Sequence, residues 1–539
     1  MRGTRTVVAT AATLAVVLGG TYLLLPPMGS DLAAQVARAD FFAAHGATPV
    51  DLRWYGGVNQ FGYSLLSQPV MALLGVRVTG VLALVASTVA FAALLCRVDA
   101  PRPLTGALVG AVTFAGNLVA GRVTYGLGVA FGLTALLALT LPAGRRRLVL
   151  ATAGALLAAA ASPVAGLFVG LAGAALLLGR RYVDGLALGL AAALPLGLTA
   201  LLFGDGGWMN ISRTDTVRAV GSSLLVAALV AYRPVRIGAL LATAGVLAAA
   251  LLHTPVGLNA TRLSAMFALP LLAAAATIGD GRWLPRHTGE GTGRSARPVP
   301  ASGTGLRRRR VSGGLTLAVL LAAVFWWQPP VVPADLRSAT DPATRPAYFA
   351  PLRDFLATQQ LIGRVEIPPT RAYRESAALG EVPLARGWLR QADIDRNPLF
   401  FTTVPGATGT GVPLTAHTYH SWLRANAVQF VAVPDAPLSW VGRAEAELVR
   451  GGLPYLREVW SDPHWRVWAV VEPTPLVGAP GTILRADGAT VTFQTNGPAT
   501  VPVRVRYSRW LTATGGTVTA AGEWTAVAVP RAGVWTLGS

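Results

Sequence analysis

The stretch that decides the fold is RRRLVLATAGALLAAAASPVAGLFVGLAGAALLLGRR, Arg145 to Arg181. Two apolar runs, near residues 148–162 and 164–179, are separated only by Ser162-Pro163 and closed at both ends by arginine clusters. Each run approaches the length that a helix needs to cross a bilayer, about 17–25 residues. Cations at both outer ends and none at the central turn are what a pair of spans leaves when both ends face the cytoplasm.

Working outward, runs of the same kind lie near 7–25, 77–96, 104–120, 122–141, 184–203, 217–232, 237–253, 262–278 and 312–328, which predicts about eleven transmembrane helices. With the N-terminus inside, the even-numbered gaps carry Arg97 and Arg102, Arg145 to Arg147, Arg180 and Arg181, Arg233 and Arg236, and Arg307 to Arg310. The positive-inside rule is then met at every one of these turns. Dropping a span would move the later clusters to the outer face, so the parity tests the count. An odd number of spans exports the C-terminal part.

Composition agrees. Of 539 residues, 53% are hydrophobic and only 13% charged, with a mean hydropathy of +0.51, a balance suited to lipid rather than water. The apolar character ends near residue 328, where Pro, Trp and charges become common. The net charge of +20 comes from Arg alone, since the chain has no Lys, and much of it lies in the short loops. It reads as a topology signal and not as a nucleic-acid surface. Cys96 is the single cysteine, so neither an internal disulfide nor a cysteine metal site can form. Arg2 and Arg5 followed by Val7 to Leu25 resemble a signal peptide, but the run ends in Pro26-Pro27 without a small-x-small site and reads as a retained first span.

The expected organisation is a transmembrane domain over 1–328, with a first outer loop at 28–60 and a disordered cytoplasmic linker at 279–311. An exported α/β domain follows over 329–475, then an exported β-rich, sandwich-like unit over 476–539. Helices are predicted at Tyr348–Gln360, His417–Asn426 and Arg443–Arg450, and strands at Arg364–Ile367, Val428–Val433, Tyr455–Trp460 and Trp465–Val471. Alternation at Thr490–Gln494, Val501–Tyr507, Thr517–Ala520 and Thr525–Val529 predicts antiparallel strands.

The first outer loop is long and polar where most other outer loops are a few residues. Asp31 to His45 fits a helix along the membrane with Ser30 as N-cap. Its spacing places Asp31, Gln35, Arg38 and His45 on one stripe and Leu32, Val36, Ala39 and Ala43 on an apolar one. At about 100° per residue Asp40 points nearly opposite to Asp31. A carboxylate at the outer end of a span is placed to deprotonate an acceptor hydroxyl beside a lipid-carried donor. The bland alternative is that Asp31 caps the helix.

This layout, with Ser30-Asp31-Leu32, Arg38-Ala39-Asp40, Trp54-Tyr55-Gly56-Gly57 and Phe61-Gly62-Tyr63, resembles the GT-C superfamily of polyprenyl-phosphate-sugar glycosyltransferases. The motif likeness covers about 35 residues and the layout covers the membrane half. Segments Glu366–Arg371 and Pro383–Trp388 are similar to exported parts of actinobacterial membrane proteins of unassigned activity. The resemblance implies Asp31 as catalytic base, with Asp40 and Asp51 as candidates for a second acidic residue. It implies Arg38 and Arg262 as donor-phosphate ligands, and loop or acceptor contacts from Asp51, Trp54, Tyr55 and Asn259. For Trp54-Tyr55 the bland alternative is an interfacial anchor, and for Arg262 a side chain reaching lipid headgroups. Arg122, near Asn117 and Tyr125, is a weaker candidate of the same type.

No cofactor is fixed by the sequence, and the acidic loop is compatible with a divalent cation. No metal-ligand set is read: Asp393-Ile-Asp395 is a lone acidic pair in a segment expected outside, and His417 and His420 lack a third ligand. The function expected is transfer of a sugar from a polyprenyl-phosphate donor to an extracytoplasmic glycan, lipid or protein acceptor, in the plasma membrane. Two other classes compete. A transporter or flippase of lipid-linked glycan would show repeats and broken spans, and Pro163 and Pro195 could break helices. A non-catalytic scaffold would bind envelope glycan through its C-terminal domain.

Overall fold

The computed structural model describes residues 2–277 and 303–539. Helix α1 (Arg2–Leu24) leads into the first long loop, which holds α2 (Leu32–His45), a hairpin of β1 (Val50–Asp51) and β2 (Val58–Asn59), and α3 (Ser67–Leu74). Then follow α4 (Val76–Arg97), α5 (Pro103–Val119), α6 (Val123–Ala138), α7 (Arg145–Ala161), α8 (Pro163–Leu178) and α9 (Tyr182–Phe203). The bundle ends with α10 (Arg213–Leu229), α11 (Arg233–Leu251), α12 (Arg262–Ala275) and α13 (Gly303–Trp327). Each of the eleven apolar runs thus falls on a helix. Five segments, Gly3–Leu24, Val76–Arg97, Tyr182–Phe203, Arg233–Leu251 and Gly257–Ala275, are long and apolar enough to cross a membrane.

Of the linker read at 279–311, residues 279–302 lie outside the described residues. Residues 303–311 are not linker but the first turns of α13.

The opening stretch shows how the sequence sets the packing. Ser162 accepts the Ala165 N–H and Pro163 opens α8, so one short turn ends α7 and starts its neighbour. Small residues then let backbones approach: a Cβ on Gly154 would lie 2.9 Å from the Ala135 Cβ, and one on Gly128 2.6 Å from that of Ala165. The periphery is the reverse. Leu190, Leu194 and Leu201 of α9 are 64–75% exposed, a surface that only lipid would cover at low cost. The chain is a membrane protein.

The C-terminal region opens with α14 (Pro333–Arg337) and α15 (Pro346–Ala357), then β3 (Arg364–Glu366), α16 (Glu375–Ala378), α17 (Arg390–Arg396) and α18 (Ala416–Ala425). It continues with β4 (Val428–Pro434), α19 (Trp440–Arg450), β5 (Leu456–Ser461) and β6 (Trp465–Val470). One sheet has the order β3-β4-β6-β5, parallel only at β3/β4. The last unit comprises β7 (Thr482–Ala486), β8 (Thr490–Thr495), β9 (Ala499–Arg506), β10 (Thr512–Ala513), β11 (Thr517–Ala521), β12 (Trp524–Val529) and β13 (Gly533–Gly538). Sheets β10-β13-β8-β7 and β11-β12-β9 enclose Val491, Phe493, Val501, Val503, Val527 and Leu537.

The first long loop is part of these cores rather than a free surface loop. Val50 and Leu52 pack in the sandwich, and Trp54, Tyr55 and Val58 pack with the α/β sheet. Main-chain bonds tie it in place: Leu52 N–H to Gly488 O at 2.8 Å, Leu384 N–H to Arg53 O at 2.7 Å, and Arg506 N–H to Gly56 O at 2.7 Å. The interfacial-anchor reading of Trp54 and Tyr55 is therefore corrected, since both are 1% exposed and surrounded by protein.

The reading of α2 changes too. Its N-cap is Asp31, with no side-chain capping bond, and Ser30 lies before it. Gln35 and Arg38 of the polar stripe are buried, while Ala43 of the apolar stripe is exposed. The polar face turns inward because it finds partners there: Thr124 donates to Gln35 Oε1.

Candidate active site

Asp31 sits where the first loop, the α5–α6 turn and the C-terminal region meet. Its N–H donates to Ala120 O at 3.1 Å, and the chain just before it is held by C-terminal residues. Gly29 N–H donates to Ser338 Oγ at 2.8 Å and Ser30 N–H to Asp335 Oδ1 at 3.0 Å. The Trp388 indole N–H donates to Ser30 O at 3.1 Å, and Arg374 to Pro27 O at 3.2 Å. Gly29 has φ +99°, and a Cβ there would lie 2.4 Å from Val119 O. Only glycine allows that approach together with that backbone.

The carboxylate is fixed from one side. Arg122 Nε donates to Asp31 Oδ2 at 3.2 Å and Arg262 Nη2 to the same oxygen at 3.3 Å. No described residue donates to Oδ1 through a hydrogen bond. Arg122 immediately precedes α6 and Arg262 opens α12, so two helix N-termini face this point. Arg262 lies 5.5 Å from the centroid of the Tyr125 ring. Each guanidinium has five N–H donors and uses one on Asp31. The others remain for an anion.

Two more groups reach this centre from the C-terminal region. Arg390, at the start of α17, lies within the field of Asp31 and 5.5 Å from the Trp440 ring. Asp335 faces Arg122, and burial raises its carboxyl above the usual range.

An apolar cavity of about 330 Å³ lies between α4, α6, α8, α10, α11 and α12, and reaches this region at Tyr125, Leu263 and Ser264. Tyr125, Leu263 and Ser264 line its upper end, and Thr140, Arg181 and Tyr232 its lower end. From Tyr125 to Leu136 it follows α6 for about 16 Å at the helical rise. Phe91, Phe168 and Phe267 form part of the wall.

The other sequence candidates distribute differently. Arg38 is buried but makes no ion pair with Asp31; its guanidinium lies over the Tyr63 ring at 3.9 Å. Asp40 is exposed on the other side of α2 and does not join the centre. Asp51 is committed to Arg53, with bonds of 3.0 Å to Nε and 2.7 Å to Nη2, both side chains 4% exposed. Tyr55 donates to Gly387 O at 2.6 Å and Trp54 packs against Gly387, so both are engaged within the protein core. Asn259 is buried in the turn Gly257–Thr261 that delivers Arg262.

Asp393 is held by Arg386 at 2.9 and 3.0 Å, so the acidic pair with Asp395 is structural on one side. Arg386 also meets Glu445 at 3.0 Å and Glu366 at 3.6 Å. Burial, followed by the charge of Glu445, pushes the Glu366 carboxyl well up, and burial raises Glu445 to about 7. His420 stacks on Tyr455 at 4.2 Å. Among the described residues no group of three potential ligands is placed to hold a metal. At Asp31 the positive charge comes from arginine.

Sequence reasoning ranked Arg122 too low and missed Asp335, Trp388 and Arg390 as neighbours of Asp31. Arg122 carried a signal, a cation beside Asn117 and Tyr125 in a short turn. The other three carried none, because nothing in the spacing of residues 335–390 relates them to residue 31.

Fold and site together define a helical membrane protein with a carboxylate–arginine centre at the seat of its C-terminal region. No protein-family model matches the chain, and no curated protein matches it in sequence. Among solved structures it is similar to the cryo-EM structure of arabinofuranosyltransferase AftD from Mycobacteria, at 16% identity and a TM-score of 0.45 over 90% of this chain. It spans 42% of the length of that protein.

Proposed function

We propose that this chain is a GT-C-type glycosyltransferase with eleven spans, a cytoplasmic N-terminus and an extracytoplasmic C-terminal region. It transfers a sugar from a polyprenyl-phosphate donor to a glycan, lipid or protein acceptor outside the cytoplasm. The observation that carries the reading is the convergence of Arg122 and Arg262 on Asp31, with Arg262 5.5 Å from the ring of Tyr125, a residue that lines the apolar cavity. A lipid-linked donor needs an anion site near an apolar trench, and here Leu263 and Ser264, next in the chain to Arg262, line such a cavity. The arginine parity of the loops supports the orientation.

In this reading Arg122 and Arg262 bind the donor phosphate and steady the charge that grows as it leaves. The isoprenoid tail lies along α6 in the cavity. Asp31 Oδ1, the oxygen without a protein donor, accepts the proton of the acceptor hydroxyl. The acceptor oxygen bonds to the anomeric carbon as the bond from that carbon to phosphate oxygen breaks, and the electron pair leaves with the phosphate. A cavity lined almost wholly by apolar side chains suits a tail better than a sugar in transit, which favours transfer over flipping.

The test is transfer of radiolabelled sugar from polyprenyl-phosphate donors by purified protein. Asp31→Asn is expected to lower turnover by at least about 10²-fold, in the range that general base catalysis supplies, with donor binding retained. Wild-type rates in that variant would remove the assignment.

A further inference from the structure

Arg38 is the least explained charge near the site. It is 7% exposed, its Nη1 is buried without a hydrogen-bond partner, and it makes no ion pair with any described residue. The two carboxylates within its field are committed elsewhere: Asp51 to Arg53, and Asp205 to Asn59 and Arg396. Burial therefore pushes the Arg38 guanidinium down from its usual range. Holding such a group out of water without a counter-ion is unfavourable, and an apolar residue would serve packing better.

Its surroundings are those of a sugar site. The Tyr63 ring lies under the guanidinium at 3.9 Å, with Trp388 edge-on to Tyr63 at 5.9 Å and 5.7 Å from Arg38. Both rings are partly exposed. The Trp388 indole N–H bonds to the carbonyl of Ser30, the residue before Asp31, so this ring touches both the Arg38 surroundings and the Asp31 segment. The Tyr63 phenol likewise lies within the fields of both Arg38 and Arg122. Along α2, Arg38 is about 10 Å from Asp31 at the helical rise.

We propose that Arg38, Tyr63 and Trp388 form a second anion subsite beside the Asp31 centre, which takes a further negatively charged group of the substrate against its two aromatic rings. The inference rests on the glycosyltransferase reading, because that reading assigns the first anion to Arg122 and Arg262 and leaves Arg38 for a different one. The charge has two chemical sources. It is either an acidic group on the acceptor glycan or a second phosphate on the donor.

Equilibrium binding to the purified full chain in nanodiscs separates them, using methyl glucuronide against methyl glucoside and farnesyl diphosphate against farnesyl monophosphate. The wild type is expected to prefer one acidic member by at least about tenfold, and Arg38→Gln to abolish that preference while farnesyl monophosphate binds within twofold. Loss of the glucuronide preference assigns the acceptor, and loss of the diphosphate preference assigns the donor. Absence of both preferences in the wild type, or their survival in Arg38→Gln, overturns the proposal. Arg38→Met guards against a structural role: an unchanged or higher melting temperature is expected, and a fall of several degrees in both variants would show that Arg38 is structural, which also overturns it. No arm requires turnover, so failure here leaves the transfer test on Asp31 standing, and the reverse.

Discussion

Asp51→Ala separates a structural carboxylate from a reactive one. The perturbation removes both carboxylate oxygens: Oδ1, which accepts from Arg53 Nε and from the Arg53 backbone N–H at 3.0 Å each, and Oδ2, which accepts from Nη2 at 2.7 Å. Arg53 retains Ala37 O at 2.7 Å and the Phe41 ring at 4.8 Å. Removing one partner of a buried pair costs about 3–5 kcal/mol, and these residual contacts place the loss near the lower end. For a cooperative unit of the size of the C-terminal region, at about 2–4 °C per kcal/mol, the melting temperature should fall on the order of 10 °C. Tryptophan fluorescence of the detergent-solubilised chain reads it, since Trp54 and Trp465 lie in that core. Asp51→Leu with Arg53→Met should recover much of the loss, because an apolar pair avoids the desolvation cost. Below the transition, Asp51→Ala should keep wild-type turnover. A variant that melts like wild type yet loses turnover would refute the reasoning and return Asp51 to the site.

Gly29→Ala puts a Cβ 2.4 Å from Val119 O at φ +99°; it should displace Asp31, lower labelled-sugar transfer by tenfold or more and also lower the melting temperature, because backbone must shift to admit the methyl group. Arg122→Gln should raise the donor KM and lower kcat, with Arg122→Lys only partly restoring them because a guanidinium offers paired donors, as steady-state kinetics would show. Glu375 accepts from Thr370 Oγ at 2.6 Å, and burial raises its carboxyl from 4.5 to about 7. The folded state then holds its proton longer than the unfolded one. Its stabilising effect is complete below about pH 4.5, falls by up to about 3 kcal/mol as pH rises to about 7, and is flat above. Melting profiles of Glu375→Gln should lose that part of the slope.

The helices were legible because lipid imposes a simple rule. Every apolar run had to bury its own backbone bonds, so α4 to α12 could be read within a few residues of their ends. The C-terminal strands were legible from alternation, as Val428–Val433 against β4 illustrates. What the sequence hid is contact between distant segments. Asp31 was found from its place at the end of a span, but the reason that Trp54 is buried is Gly387, and no local pattern joins residues 54 and 387. The two stripes of α2 were legible but not their orientation: amphipathicity reports two faces, and only partners such as Thr124 and Tyr63 determine that Gln35 and Arg38 turn in.

The threading of residues 50–58 through both C-terminal units also sets an order of assembly. This loop leaves the ribosome some 480 residues before the last strand that surrounds it, a delay of about 25–100 s at 5–20 residues per second. Until then Val50 and Leu52 lack their complete core, and until residue 388 has been made the pins on Gly29 and Ser30 from Ser338, Asp335 and Trp388 are incomplete. The membrane bundle made first therefore lacks the contacts that hold the Asp31 segment, and gains them only as the C-terminal region folds around the loop.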